Sequence, residues 1–293
     1  MSAADSSVPP PSFGVAPELP AGVQRRVPPE RPRWKPWTAW VALIAAFGGA
    51  LMGALLVGIV GAIGGADLSD PTPAVNIAAT IVQDVCFVAA AVLFAGMAGR
   101  PLPAQFGLRR TRFWPALGWM ALAFLAFYIF TVVWVAILHT NADDSKLPDE
   151  LGVDRSTVAL LAAAFLVSVV APIAEEFFFR GFFFAALRNW KGLWPAAVIT
   201  GLVFGAIHIG SAEVALLVPL AFFGFVLCLL RERTGSLLPC IVLHCANNSV
   251  AFGVSQDWGW QIPVLFVCAL SVITLAALLV RARWVAAAGA PAG

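Results

Sequence analysis

Residues 171–183 read APIAEEFFFRGFF. Two adjacent glutamates and an arginine stand in a run that is otherwise almost wholly apolar. The apolar character extends outward on both sides. Of 293 residues, 60% are hydrophobic and only 12% are charged, about half the charged share of a soluble domain. Mean hydropathy is +0.88. The run therefore belongs to a membrane-spanning helix, where each ionisable side chain costs roughly 3 kcal/mol or more. A net charge of +2, without a basic stripe of interleaved aromatics, argues against a nucleic-acid partner and leaves membrane lipid as the surrounding medium.

A spanning helix needs about 20 mostly apolar residues. Eight stretches qualify, near 37–65, 74–98, 114–138, 156–187, 193–210, 213–230, 236–255 and 259–280. The expected fold is an all-α, polytopic bundle of eight transmembrane helices. The fourth span is longer than a bilayer requires, so it tilts, breaks or protrudes. Residues 1–36 are proline-rich and poor in aliphatics, which predicts a disordered cytoplasmic tail. The first apolar stretch is too long for a secretory leader. Helices 1–3 fall in 37–154, a core of helices 4–8 in 155–284, and a loose tail in 285–293. The five cysteines (86, 228, 240, 245 and 268) all lie in apolar stretches without a C-x-x-C pair, as expected of reduced, buried thiols.

Lysine and arginine sort the loops. One side takes the basic residues at 25, 26, 31, 33, 35, 100, 109, 110, 112, 188, 191, 231, 233, 281 and 283. The other takes Lys146 and Arg155, beside acids such as Asp67, Asp70 and Asp257. By the positive-inside rule both termini are cytoplasmic, in a multi-pass protein of the plasma (inner) membrane. Gly49-x-x-x-Gly53 and Gly61-x-x-x-Gly65 in the first span are read as packing faces.

The ionisable residues within spans are Asp84, Glu175, Glu176, Arg180, His208 and His244. His139 sits at an outer helix end and is read as interfacial. Asp84 is read as a structural acid bonded to a neighbour. Glu176 and Arg180, at i and i+4 with the acid first, can neutralise each other. Glu175 points about 100° away and has no partner in its own helix. FGAIH (204–208) places Phe204 and His208 at i and i+4; HCANN (244–248) places His244 and Asn248 on one face. At 1.5 Å per residue, Glu175, His208, His244 and Asn248 lie between roughly 12 and 22 Å from the basic end of their helices. Three helices thus bring a carboxylate, two imidazoles and a carboxamide to similar depth. Peptide hydrolysis uses such groups: a carboxylate takes a proton from water, and imidazole and amide donors stabilise an oxyanion. No serine or cysteine nucleophile beside a histidine is evident; Cys245 adjoins His244, but adjacent helix positions point in different directions.

EEFFFR fits E-E-x-x-x-R, FGAIH fits F-x-x-x-H and HCANN fits H-x-x-x-N. In order and spacing they resemble the CPBP family of intramembrane proteases, which includes CAAX prenyl endopeptidases and bacterial Abi-type, bacteriocin-processing proteins. The likeness covers about 155–255; FGLRR at 106–110 is also similar to family members. The resemblance implies eight helices enclosing a catalytic cavity open to the cytoplasmic leaflet. It implies Glu175 as the base that activates water, and His208, His244 and Asn248 as residues that order it or form the oxyanion hole. Glu176, Arg180 and Phe204 would support them. No cofactor is favoured; zinc on Glu175, His208 and His244 is the alternative, although H-E-x-x-H is absent. The expected substrate is a membrane-associated or lipidated polypeptide. The rival readings are a non-catalytic membrane scaffold or regulator of the same fold and, less favoured, a proton-coupled transporter.

Overall fold

The computed structural model describes residues 32–67, 69–139 and 147–288. The expected disordered segment before residue 32, with Arg25, Arg26 and Arg31, lies outside the described residues, as do Lys146 and the end of the loose tail. The helices are α1 Pro36–Ile63, α2 Pro73–Gly96, α3 Phe113–Leu138, α4 Thr157–Lys191, α5 Leu193–Ala206, α6 Leu217–Thr234, α7 Leu238–Ser255 and α8 Gln261–Ala288. No strand occurs among the described residues; there is one isolated bridge, Ile209 to Ala212. Pro36, Pro73 and Pro239 sit in first turns, where a missing N–H leaves no helical bond unmade.

Seven of these helices are long and apolar enough to cross a membrane. Their outward faces carry exposed Ile44, Leu51, Leu93, Val132 and Leu275, a surface suited to lipid rather than water. The chain is a multi-pass membrane protein. The stretch expected at 193–210 is shorter than the others: α5 has 14 residues, about 21 Å at 1.5 Å each, and His208 stands beyond its end. α5 packs closely on α6. A Cβ on Gly201 would meet the Ala221 carbonyl oxygen at 2.6 Å, and one on Gly205 the Leu217 carbonyl oxygen at 2.6 Å, so only glycine lets these backbones touch. Gly53 and Gly61 of α1 work likewise against Val82 and Val75 of α2. Gly65 lies in the turn beyond, at φ +91°, with open space around it.

α4 neither breaks nor runs as a plain α-helix. Its central α-helical turn, Ala171–Glu176, is flanked by π-helical stretches at Leu166–Val170 and Phe177–Phe183. In the first, the Ala171 N–H bonds the Leu166 carbonyl. The next carbonyl in that i−5 register, Val167, faces Pro172, which has no N–H to give. A side chain from another helix supplies the donor, as described below. The glutamates therefore sit on a helix whose register shifts on both sides, a feature common at functional sites.

The basic loops are tied together at one end. Arg109 Nε bonds the Gly235 carbonyl, Ser236 Oγ donates to the Arg109 carbonyl at 2.6 Å, and the Leu237 N–H to the Gly107 carbonyl at 2.8 Å. Thr111 Oγ1 donates to the Thr234 carbonyl at 3.0 Å, and Arg188 pairs with Glu232. Beneath this clasp Trp34, Phe106, Phe177 and Phe182 pack ring on ring, with centroids 4.5–5.1 Å apart. At the other end Arg155 pairs with Asp70, and Trp134 Nε1 donates to the Ala215 carbonyl at 2.8 Å. His139 caps α3 there, exposed, at φ 51°.

Candidate active site

Arg180 and Glu176 are fully buried, with a 2.6 Å bond between Nη1 and Oε1. Arg180 also donates from Nη2 to the Gly224 carbonyl at 3.2 Å, and its guanidinium lies 4.2 Å from the centre of the Phe204 ring. A carboxylate, a carbonyl and an aromatic face thus surround the cation, compensating its loss of water.

The same Glu176 oxygen has a second partner. His244 Nδ1 lies 2.8 Å from Oε1. A carboxylate held by an arginine accepts, so Nδ1 carries the proton and Nε2 is left as the acceptor. That nitrogen faces Glu175 Oε2 at 3.9 Å. Arg180, Glu176, His244 and Glu175 thus form one chain of contacts across α4 and α7. Sequence spacing gave the Glu176–Arg180 pair but not the histidine, whose approach depends on how α7 packs against α4. Glu175 is nearly buried, and its Oε2 has no hydrogen-bond partner. It points to His244 rather than to lipid.

His208 lies in the turn after α5. Its Nδ1 is 2.7 Å from the Phe204 carbonyl, one of the last carbonyls of α5, which the helix itself leaves without a donor. A carbonyl only accepts, so Nδ1–H donates and Nε2 again faces outward as an acceptor. The Phe204 ring links the two histidines, with centroids 5.0 Å from His208 and 5.7 Å from His244. No hydrogen bond or ion pair joins Glu175 to His208 among the described residues.

Asn248 supplies the donor that Pro172 lacks: its Nδ2 bonds the Val167 carbonyl at 2.9 Å. One amide hydrogen thus holds α7 to α4, leaving the second free. Asn248 Oδ1 accepts a long 3.4 Å bond from Asn247, whose Oδ1 accepts from the Tyr128 hydroxyl at 3.3 Å. Spacing gave no sign of Asn247 or Tyr128. His208 and Asn248 line a common cavity of about 320 Å³.

Two expectations change. Asp84 is buried, yet both its carboxyl oxygens lack a hydrogen-bond partner. Of the cysteines, 228, 240 and 245 are buried and 86 partly so, but Cys268 is exposed on the apolar surface of α8. Glu175, His208 and His244 are not gathered into a metal-holding group; among the described residues no three His, Cys, Asp or Glu side chains are.

Fold and site define a class: a multi-pass helical membrane protein with an acid–histidine network inside the membrane region. Residues 157–250 match the family described as type II CAAX prenyl endopeptidase Rce1-like, and this segment is similar to that family's domain. It contains Glu175, Glu176, Arg180, His208, His244 and Asn248. The chain is 30% identical over 135 residues to the uncharacterized protein YyaK of Bacillus subtilis, covering 44% of this chain and 45% of that one. It is 27% identical over 147 residues to an uncharacterized 24.3 kDa protein of Escherichia coli, covering 49% and 64%. It is 22% identical over 112 residues to the UPF0177 protein YxdF of Lactococcus lactis, covering 38% and 58%. The alignments thus span roughly half of each relative. No solved structure gives a significant match.

Proposed function

We propose that this protein is an intramembrane endopeptidase that hydrolyses a peptide bond in a membrane-associated or lipidated polypeptide. The observation that carries this reading is the chain from Arg180 through Glu176 and His244 to Glu175. It fixes a histidine acceptor beside an otherwise unpartnered carboxylate. In this reading Glu175 takes a proton from water as the water oxygen bonds to the scissile carbonyl carbon. The second amide hydrogen of Asn248 stabilises the oxyanion. His208, protonated on Nδ1 by its bond to Phe204, presents Nε2 as an acceptor and so orients the water rather than donating to the oxyanion. The proton on Glu175 passes to the amide nitrogen as the C–N bond breaks, giving a carboxylic acid and an amine. His244 Nε2, an acceptor, can take a hydrogen bond from Glu175 only once Glu175 has gained the proton from water.

In this reading no step runs through a metal ion; Glu175, His208 and His244 are not gathered into one group. Glu175→Gln is expected to lower cleavage at least about a hundredfold, the lower range for loss of a general base, while the protein stays folded. The assay compares new C-termini in membranes of cells carrying either protein; equal cleavage by the variant would refute the reading. Chelator washing is expected to leave cleavage unchanged, and loss restored only by zinc would require a metal-based mechanism.

A further inference from the structure

We propose that Tyr128 and Asn247 are positioning residues of the endopeptidase site, which aim and polarise the Asn248 amide toward the oxyanion. The proposal rests on the endopeptidase reading and deepens it, adding two residues outside the fixed positions of the motifs.

Three side chains form a directed line. The Tyr128 hydroxyl donates to Asn247 Oδ1 at 3.3 Å, Asn247 Nδ2 donates to Asn248 Oδ1 at 3.4 Å, and Asn248 Nδ2 donates to the Val167 carbonyl at 2.9 Å. The direction is fixed at the far end. The Val167 carbonyl only accepts, so Asn248 turns its NH2 toward it and its oxygen toward Asn247. Asn247 then has to present its own NH2. That leaves its oxygen for a donor, and the Tyr128 hydroxyl supplies one. An amide whose oxygen accepts a hydrogen bond is polarised and donates more strongly through its N–H. Asn248 receives at its oxygen and gives one hydrogen to Val167, so its second hydrogen has a set direction. All three residues line the same cavity as His208.

The anchor of the line is rigid. Tyr128 is the one tyrosine of the chain, and its ring packs on Phe124 and Phe127, with centroids 4.4 and 5.1 Å away. Asn247 is buried. A polar pair between α3 and α7 could serve only to hold the two helices together. The first bond alone would do that. The second joins neighbours on α7 and holds no two helices together, yet it ends on the amide that the endopeptidase reading assigns to the oxyanion.

The test uses the full chain, and the readout is the rate at which Glu175-dependent new C-termini appear in membranes of cells carrying each variant at equal level. Tyr128→Phe and Asn247→Leu are each expected to lower that rate about tenfold, short of the roughly hundredfold or more that loss of an oxyanion donor costs, the result expected of Asn248→Ala. A double-mutant cycle separates positioning from plain packing. In the Asn248→Ala background Tyr128→Phe is expected to change the residual rate less than twofold, because the amide it acts through is gone. A further tenfold loss there would overturn the proposal, as would parent-like cleavage by both single variants. A second measurement needs no cleavage. With one tyrosine in the chain, the ultraviolet Raman doublet of its ring reports on the Tyr128 hydroxyl alone. Asn247→Leu is expected to shift the doublet ratio away from that of a donating hydroxyl, and an unchanged ratio would overturn the proposal. Parent-like cleavage by Asn248→Ala, with Glu175→Gln inactive, would overturn the proposal and leave the endopeptidase reading standing. Parent-like cleavage by Glu175→Gln would sink that reading and the positioning role with it.

Discussion

At the scale of the residue, the informative fact is that Glu175 and Glu176, neighbours in sequence, have different surroundings. Glu176 is fully buried and holds Arg180 and His244 with one oxygen; Glu175 is held by nothing shorter than 3.9 Å. An arginine is suited to the first environment because its planar guanidinium serves a carboxylate, a carbonyl and an aromatic face at once. Removing one member of a buried pair leaves the other uncompensated, at about 3–5 kcal/mol. Arg180→Leu is therefore expected to lose stability by that amount, read as thermal unfolding in detergent. The double variant Arg180→Leu/Glu176→Leu should recover much of it, because neither charge then remains in the core. Cleavage should not recover, since His244 would have lost the partner that sets its proton on Nδ1. Equal stability of single and double variants would show that charge compensation is not what Arg180 provides.

At the scale of the element, the long helix α4 shows what the sequence discloses and what it withholds. Hydropathy located seven of the eight helices closely, because lipid demands about 20 apolar residues per crossing. The i, i+4 rule placed Glu176 against Arg180, since that contact is local. The π turns, the Val167–Asn248 bond and the 14-residue α5 were not legible. Each depends on a partner helix: Pro172 leaves a carbonyl without a donor, but only packing decides that Asn248 meets it. The His208 tautomer is withheld likewise, because it turns on where α5 ends. The bond can be isolated with a double-mutant cycle. Asn248→Leu should cost about 1 kcal/mol by leaving a half-buried carbonyl without its partner. In a Pro172→Ala background the restored N–H can serve Val167, and the same substitution should cost about 1 kcal/mol less. Additive effects in detergent unfolding would mean that the proline does not create the need for the amide.

At the scale of the whole molecule, the two ends of the helices are built differently, and two glycines make the difference possible. Gly107 lies at φ +88°, where a Cβ would fall 2.3 Å from Arg231 Nη2; Gly235 lies at φ +65°, where a Cβ would fall 2.7 Å from Arg109 Nη2. Each glycine admits an arginine from the other segment, so the stretch before α3 and the α6–α7 turn clasp each other although far apart in sequence. Gly99 provides the comparison: its φ is +116°, yet nothing lies within 4 Å of its Cβ position. Alanine at any of the three meets backbone strain of about 1–3 kcal/mol. At Gly99 that is the whole effect, whereas at Gly107 the half-buried Arg231 must also move. Gly107→Ala should therefore lower the unfolding temperature more than Gly99→Ala. Equal unfolding temperatures would mean that the contact with Arg231 adds nothing to the strain at Gly107.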